Sequence, residues 1–203
     1  MRADLARKLD ERFGAQTIEF YAGTTHRAIL ANVDKRKPGA LGRPLPGSDP
    51  IVVAKVDLAT KTVSQDELAG PEEIGVLAVR PMEREAGELI TTNDVVRRDE
   101  DGDFWFVDSL SGFVGLVSTR AIEDAFYEKL DVDVAAAYPV GKDVWVAYVG
   151  SPSPEEARAA LEDRAQPRVV IQLDAIPLTD GFRPLKSVLP RTLEDSRIRA
   201  LIR

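Results

Sequence analysis

The chain has no cysteine and a single histidine, His26, in 203 residues. That excludes a thiolate nucleophile, a disulfide framework and any Cys/His zinc site, and any histidine relay must run through His26. Aromatic residues are few, at 6%. No apolar run approaches the ~20 residues of a membrane helix. The opening Met1-Arg2-Ala3-Asp4-Leu5-Ala6-Arg7-Lys8 is charged and lacks the apolar centre of a secretory signal, so the expectation is a cytoplasmic protein with no membrane partner. The strings G-x-S-x-G, S-x-x-K, G-x-x-x-x-G-K-[ST] and G-x-G-x-x-G are also missing. Serine-hydrolase, P-loop and dinucleotide chemistry therefore have no local support.

What is present is a globular composition, 44% apolar and 30% charged, with a net charge of −7. The charge is divided along the chain. Residues 60–165 hold 23 acidic and 10 basic side chains, whereas residues 1–59 and 166–203 are each net +3. The ends are electrostatically complementary to the middle, either within one molecule or between molecules.

Four segments follow. In residues 1–33, Leu5, Ala6, Leu9 and Phe13 form a helical stripe ended by Gly14, and the runs 17–21 and 27–33 form a hairpin. Residues 34–50 carry Pro38, Pro44, Pro46 and Pro50 with Lys35, Arg36, Lys37 and Arg43, and read as a basic arm or linker. Residues 51–176 form an α+β core. It opens on a strand at 51–58, and the capping-box spacing of Ser64-Gln65-Asp66-Glu67 predicts a short helix. Residues 177–203 form a proline-rich tail ending in a helix over 191–203.

Between 104 and 173 the signals are sharp. Strand runs at 104–107 and 113–117 precede a helix capped by Ser118, with Ile122, Phe126 and Leu130 repeating every four residues. Strands at 132–138 and 144–149 flank a Pro139-Val140-Gly141-Lys142 turn, and a helix begins at Ser153-Pro154-Glu155-Glu156 before the strand 169–173. The order β-α-β-β-α-β is that of a ferredoxin-like domain, with the strands in one antiparallel sheet and both helices on one face. That architecture hosts many unrelated functions and names none.

Candidate chemistry is thin. Asp131, Asp133 and Asp143 are close in sequence, but hairpin geometry at ~3.3 Å per residue puts Asp143 roughly 16 Å from Asp133. Asp99-Glu100-Asp101-Gly102-Asp103 has calcium-loop composition without the ligand spacing, and reads as a solvated turn. His26 is a general base only if a carboxylate such as Glu19 orients it. Trp145 and Tyr148 point to opposite strand faces, and the surrounding domain is acidic, so nucleic acid is not an expected partner.

These readings assign no catalytic residue, cofactor or metal. They favour a non-enzymatic interaction or assembly subunit, oligomeric or within a complex, that holds protein partners through Lys35, Arg36, Lys37 and Arg43 of the arm and Arg191, Arg197, Ile198 and Leu201 of the tail. Two alternatives remain: a small-molecule-binding domain or enzyme of unknown reaction, and a regulatory or immunity-type partner of another protein.

Overall fold

The computed structural model describes residues 1–23, 28–33, 36–81, 88–161, 167–192, 194–195 and 200–202. The chain divides into two compact units, Met1–Leu110 and Ser111–Arg203. The boundary falls inside the stretch that the sequence suggests is one core.

The first unit begins with α1 (Ala3–Phe13), stopped by Gly14 in the left-handed region. Of its apolar stripe Ala6 is buried, whereas Leu5 and Phe13 remain exposed. A three-stranded antiparallel sheet follows, in the order β1 (Phe20–Ala22), β2 (Ile29–Ala31), β3 (Arg43–Pro44). The remaining strands are β4 (Ile51–Asp57), β5 (Thr62–Leu68), β6 (Ile74–Val79), β7 (Ile90–Arg98) and β8 (Phe104–Ser109). They form an antiparallel sheet ordered β5-β4-β6-β7-β8. Leu30 and Leu41 pack with Val53, Leu77, Val79, Val96 and Phe104 in one continuous core.

The proline-rich segment in this unit is fastened to its neighbours. Asn32, buried, donates from its amide to the carbonyls of Lys37 and Ala40 at 2.6 and 3.0 Å. Leu41 and Gly42 bracket Phe104: Leu41 N–H donates to its carbonyl and its own N–H donates to the Gly42 carbonyl, both at 2.8 Å. Gly42 has φ +84°, and a Cβ there would lie 2.0 Å from the Ala31 carbonyl oxygen, so only glycine allows this approach.

The second unit opens with a small hairpin, β9 (Phe113–Val114) with β10 (Val117–Ser118), and then α2 (Thr119–Lys129). Ser118 caps α2 by accepting from the Ala121 N–H. β11 (Val132–Val140) and β12 (Asp143–Gly150) pair antiparallel, α3 (Pro154–Ala159) crosses over, and β13 (Val169–Gln172) pairs parallel with β12. β14 (Ala200–Ile202) closes the sheet antiparallel to β13. Ile122 and Phe126 of α2 and Ala157 of α3 share one core with Ala135, Val146, Tyr148 and Val170, so both helices cover the same sheet face. The opposite face, with Tyr138, Trp145 and Ile171, is covered by Ile176 and by Leu189 of the tail.

The mixed helix-and-sheet class is as expected, but the ferredoxin-like topology is not formed. The 104–109 strand belongs to the first unit's sheet, and among the described residues β9 pairs with β10 in a sheet of two strands. β13 runs parallel to β12, because a helix crossover returns the chain to the same end of the sheet. The 64–67 helix is also absent. Ser64 Oγ does accept from the N–H groups of Asp66 and Glu67, but within β5, where the β4–β5 register slips between Ala54 and Val56. The terminal helix is replaced at 200–202 by β14, and residues 196–199 lie outside the described residues. The hairpin turn is tighter than expected: Val140 faces Asp143 and Pro139 is a strand residue opposite Val144.

Candidate functional site

A concentrated set of ionised groups in the first unit is built by the turn between β7 and β8. Gly102 at φ +90° bends the chain so that Asp99, Asp101 and Asp103 converge. Lys37 Nζ lies 2.7 Å from Asp99, 2.7 Å from Asp101 and 3.1 Å from Asp103. Asp103, 2% exposed, also accepts from Arg43 Nε and Nη2, each at 3.2 Å. The Trp105 indole N–H donates to Asp99 at 2.9 Å, and the Arg97 guanidinium stands 5.0 Å from the Trp105 ring centroid.

Burial raises the Asp99 pKa, but hydrogen bonds from Lys37, Trp105 and the Asp103 N–H outweigh it and bring the carboxyl to about 2. Hydrogen bonds to Asp101 and Asp99, against the penalty of burial, raise Lys37 above its ordinary value. Neither group exchanges protons near neutral pH, so this knot is a support and not an acid–base pair. Of the turn expected to be solvated, Glu100 and Asp101 are exposed, whereas Asp99 and Asp103 are turned inward onto Lys37 and Arg43. The charge complementarity between the basic arm and the acidic middle is satisfied here inside one unit.

In the second unit a recess of about 260 Å³ is lined by Asp131, Asp133 and Asp174 together with Ser151 and Leu173. Ser151 Oγ donates to Asp131 Oδ2 at 3.3 Å. The wall carries one sign of charge and would repel a bare phosphate. Among the described residues no group of three or more His, Cys, Asp or Glu side chains is placed to hold a metal ion. The hairpin register sets Asp143 at the far end from Asp133. Tyr148 and Trp145 face opposite cores, as their spacing requires. Tyr148 is pushed up to about 12, by burial first and then by the charges of Glu155 and Glu156, and its hydroxyl donates to the Pro152 carbonyl at 2.7 Å.

Of the residues singled out from sequence as contact elements, Lys37 and Arg43 are brought together on Asp103. Arg36 pairs with Asp10 at 2.8 Å and donates to the Thr17 carbonyl at 2.5 Å, while Lys37 and Arg43 belong to the knot. Arg191 donates to the Pro139 carbonyl at 2.9 Å and lies 5.9 Å from the Tyr138 ring centroid. Leu201 is in β14; Lys35, Arg197, Ile198 and His26 lie outside the described residues. Glu19, the carboxylate considered for His26, pairs with the N-terminal ammonium. The sequence reading did not identify the Asp99–Trp105 and Tyr138–Pro190 contacts. For the first, the Asp-rich turn beside a basic arm was the available signal; for the second there was none.

No protein-family model and no characterised protein sequence matches the chain. Solved structures do. The ATP-bound MatB from Rhodopseudomonas palustris superposes with a TM-score of 0.75 at 23% identity, over 96% of this chain and 44% of that one. A benzoate CoA ligase from Burkholderia xenovorans gives 0.73 at 20% identity, over 92% and 43%. An anthranilate CoA ligase in complex with anthranoyl-AMP gives 0.67 at 19% identity, over 90% and 40%. The chain thus spans less than half the length of each. These likenesses overturn the expectation of a non-enzymatic assembly subunit held by charged arms, because its similar structures are enzymes. They favour the enzyme alternative instead. No described helix is long and apolar enough to cross a membrane. The fold of this chain is that of a part of these ligases.

Proposed function

We propose that the chain is a working part of an acid-activating ligase. In such a reaction the carboxylate oxygen of the substrate attacks the α-phosphorus of ATP, forming an acyl-AMP and releasing pyrophosphate. A thiol or amine then attacks the acyl carbon and AMP leaves. The observation that carries this reading is the superposition of 96% of the chain on an ATP-bound enzyme at a TM-score of 0.75. The ligand chemistry comes from the titles of the similar structures, an ATP complex and an acyl-AMP complex. The chain's own contribution is two compact units, one holding the Lys37 knot and the other its docked tail. The reaction belongs to the complete fold, of which these residues supply under half.

The test has two arms. Titration of AMP and ATP into the isotopically labelled chain should move a localised set of amide resonances. Exchange of labelled pyrophosphate into ATP should appear with benzoate, anthranilate or another carboxylic acid once the polypeptide completing the fold is supplied. Unmoved resonances together with no exchange for any acid would sink the reading.

A further inference from the structure

β11 lies at the edge of the second unit's sheet, and among the described residues β12 is its one strand partner. It carries the apolar run Val134-Ala135-Ala136-Ala137-Tyr138, of which 135–138 are buried. An edge strand of that kind leaves a row of backbone N–H and C=O groups open to another chain. Here the row is closed by side chains. The Ala135 N–H donates to the Tyr127 hydroxyl at 2.9 Å, and the Ala137 N–H donates to Glu123 Oε1 at 2.8 Å. Backbone groups of an antiparallel strand point alternately toward and away from the partner, so Pro139 is the next outward position. It has no N–H to offer, and its carbonyl accepts from Arg191 at 2.9 Å. Glu123 and Tyr127 stand four apart on α2, so one helix face reaches both amides. Lys186 of the tail holds the same Glu123 Oε1 at 2.7 Å.

We propose that α2 and the tail form a side-chain seal over this edge, and that the seal keeps β11 from pairing with β11 of a second copy. The sealed groups are self-complementary. A two-fold axis through Ala136 would set Ala135 opposite Ala137 of the second copy, and each such pair would exchange both of its N–H···O=C bonds. The Tyr127 hydroxyl and the Glu123 carboxylate occupy those amides first. A second copy would also have to strip water from the partly exposed Glu123–Lys186 pair. Pro139 stops the ladder from extending, since it has no donor for a further rung. Lys186 and Arg191 both come from the tail, so docking of the tail and closure of the edge are coupled. The seal is a property of the second unit and stands apart from the ligase reading.

The experiment follows amide exchange by NMR and mass by light scattering, on the full chain, from dilute to concentrated solution. In the wild type, exchange at Ala135 and Ala137 should not change with concentration. In E123A/Y127F the two amides should exchange about tenfold faster in dilute solution, the worth of one hydrogen bond. On concentration they should become protected again as the mass doubles. E123Q keeps an acceptor for the Ala137 N–H and should match the wild type at both amides. Should E123A/Y127F fail to fold, Y127F alone, which keeps the ring, gives the same comparison at Ala135. A variant that stays monomeric overturns the proposal, whatever its exchange rates. So does association that protects 200–202, at the opposite edge of the sheet, and leaves 133–139 unprotected. Wild-type protein that gains protection at Ala135 and Ala137 on concentration would equally overturn it.

Discussion

Tyr138 donates its phenolic hydrogen to the carbonyl oxygen of Pro190 at 2.7 Å, across 52 residues of sequence. The ring is fully buried, and Arg191 lies against it while donating to the Pro139 carbonyl. One side chain of β11 therefore fastens the tail by its hydroxyl and by its ring. Tyr138→Phe keeps the packing and strands a buried acceptor, at a cost of about 1–3 kcal/mol. Denaturant midpoints should show that loss, and amide exchange at 189–192 should speed up. Unchanged exchange there would mean that the apolar contacts of Leu189 hold the tail without the hydrogen bond.

Phe126 sits under the sheet with its ring centroid 5.6 Å from that of Tyr148. Phe126→Ala removes a fully buried aromatic and should destabilise the second unit by about 3–5 kcal/mol. A loss under about 1 kcal/mol, read from urea unfolding, would contradict the packing of α2 on this face.

Asp99 links stability to acid. Its carboxyl titrates at about 2 in the folded chain against a reference of 3.8. A carboxyl lowered by folding contributes its full stability above the unfolded value and loses it as pH falls through the folded one. Unfolding midpoints should therefore decline between pH 4 and about 2. Asp99→Asn should flatten that part of the curve; a slope identical to wild type would remove Asp99 from the account. Lys37→Met should act in the same sense, destabilising most at neutral pH, where the pairing with ionised Asp99 is lost, and less in acid.

Gly42→Ala should cost more than about 2 kcal/mol, because the added Cβ meets the Ala31 carbonyl and φ is positive. Thermal melting together with loss of amide protection at Leu41 and Phe104 is the measurement. A near-neutral result would show that 40–44 can leave the edge of β8 without consequence.

Elements held by residues within four positions of each other could be read from sequence. Gly14 ending α1, Ser118 capping α2 and the Ser153–Glu156 capping box before α3 each satisfy backbone groups locally, so residue type and spacing suffice. The Ser64 signal was equally local and its hydrogen bonds do form, yet a β bulge uses the same bonds as a helix start. Proline content identified 34–50 as non-helical, but it is silent on whether such a segment is free. Asn32 and the Phe104 bridge settle that, the latter through contacts between residues as far apart as Leu41 and Phe104.

Composition excluded thiol chemistry and a zinc site of the Cys/His kind, since an absent residue is absent in every conformation. Periodicity predicts Phe126, Leu130, Val134, Val146 and Leu161 as core residues, because burial of one helix or strand face is written in the order of its own residues. Phe126, Val146 and Leu161 are fully buried, whereas Leu130 and Val134, near the ends of their elements, are only partly buried. Strand partnership is different. Val169–Gln172 reads the same whether its neighbour is parallel or antiparallel, and Ala200–Ile202 looks helical until an open edge of β13 accepts it. The Lys37–Asp103 pairing and the Tyr138–Pro190 bond depend on which distant segments share a core. Free energies of that kind arise from long-range packing, and no local pattern carries them.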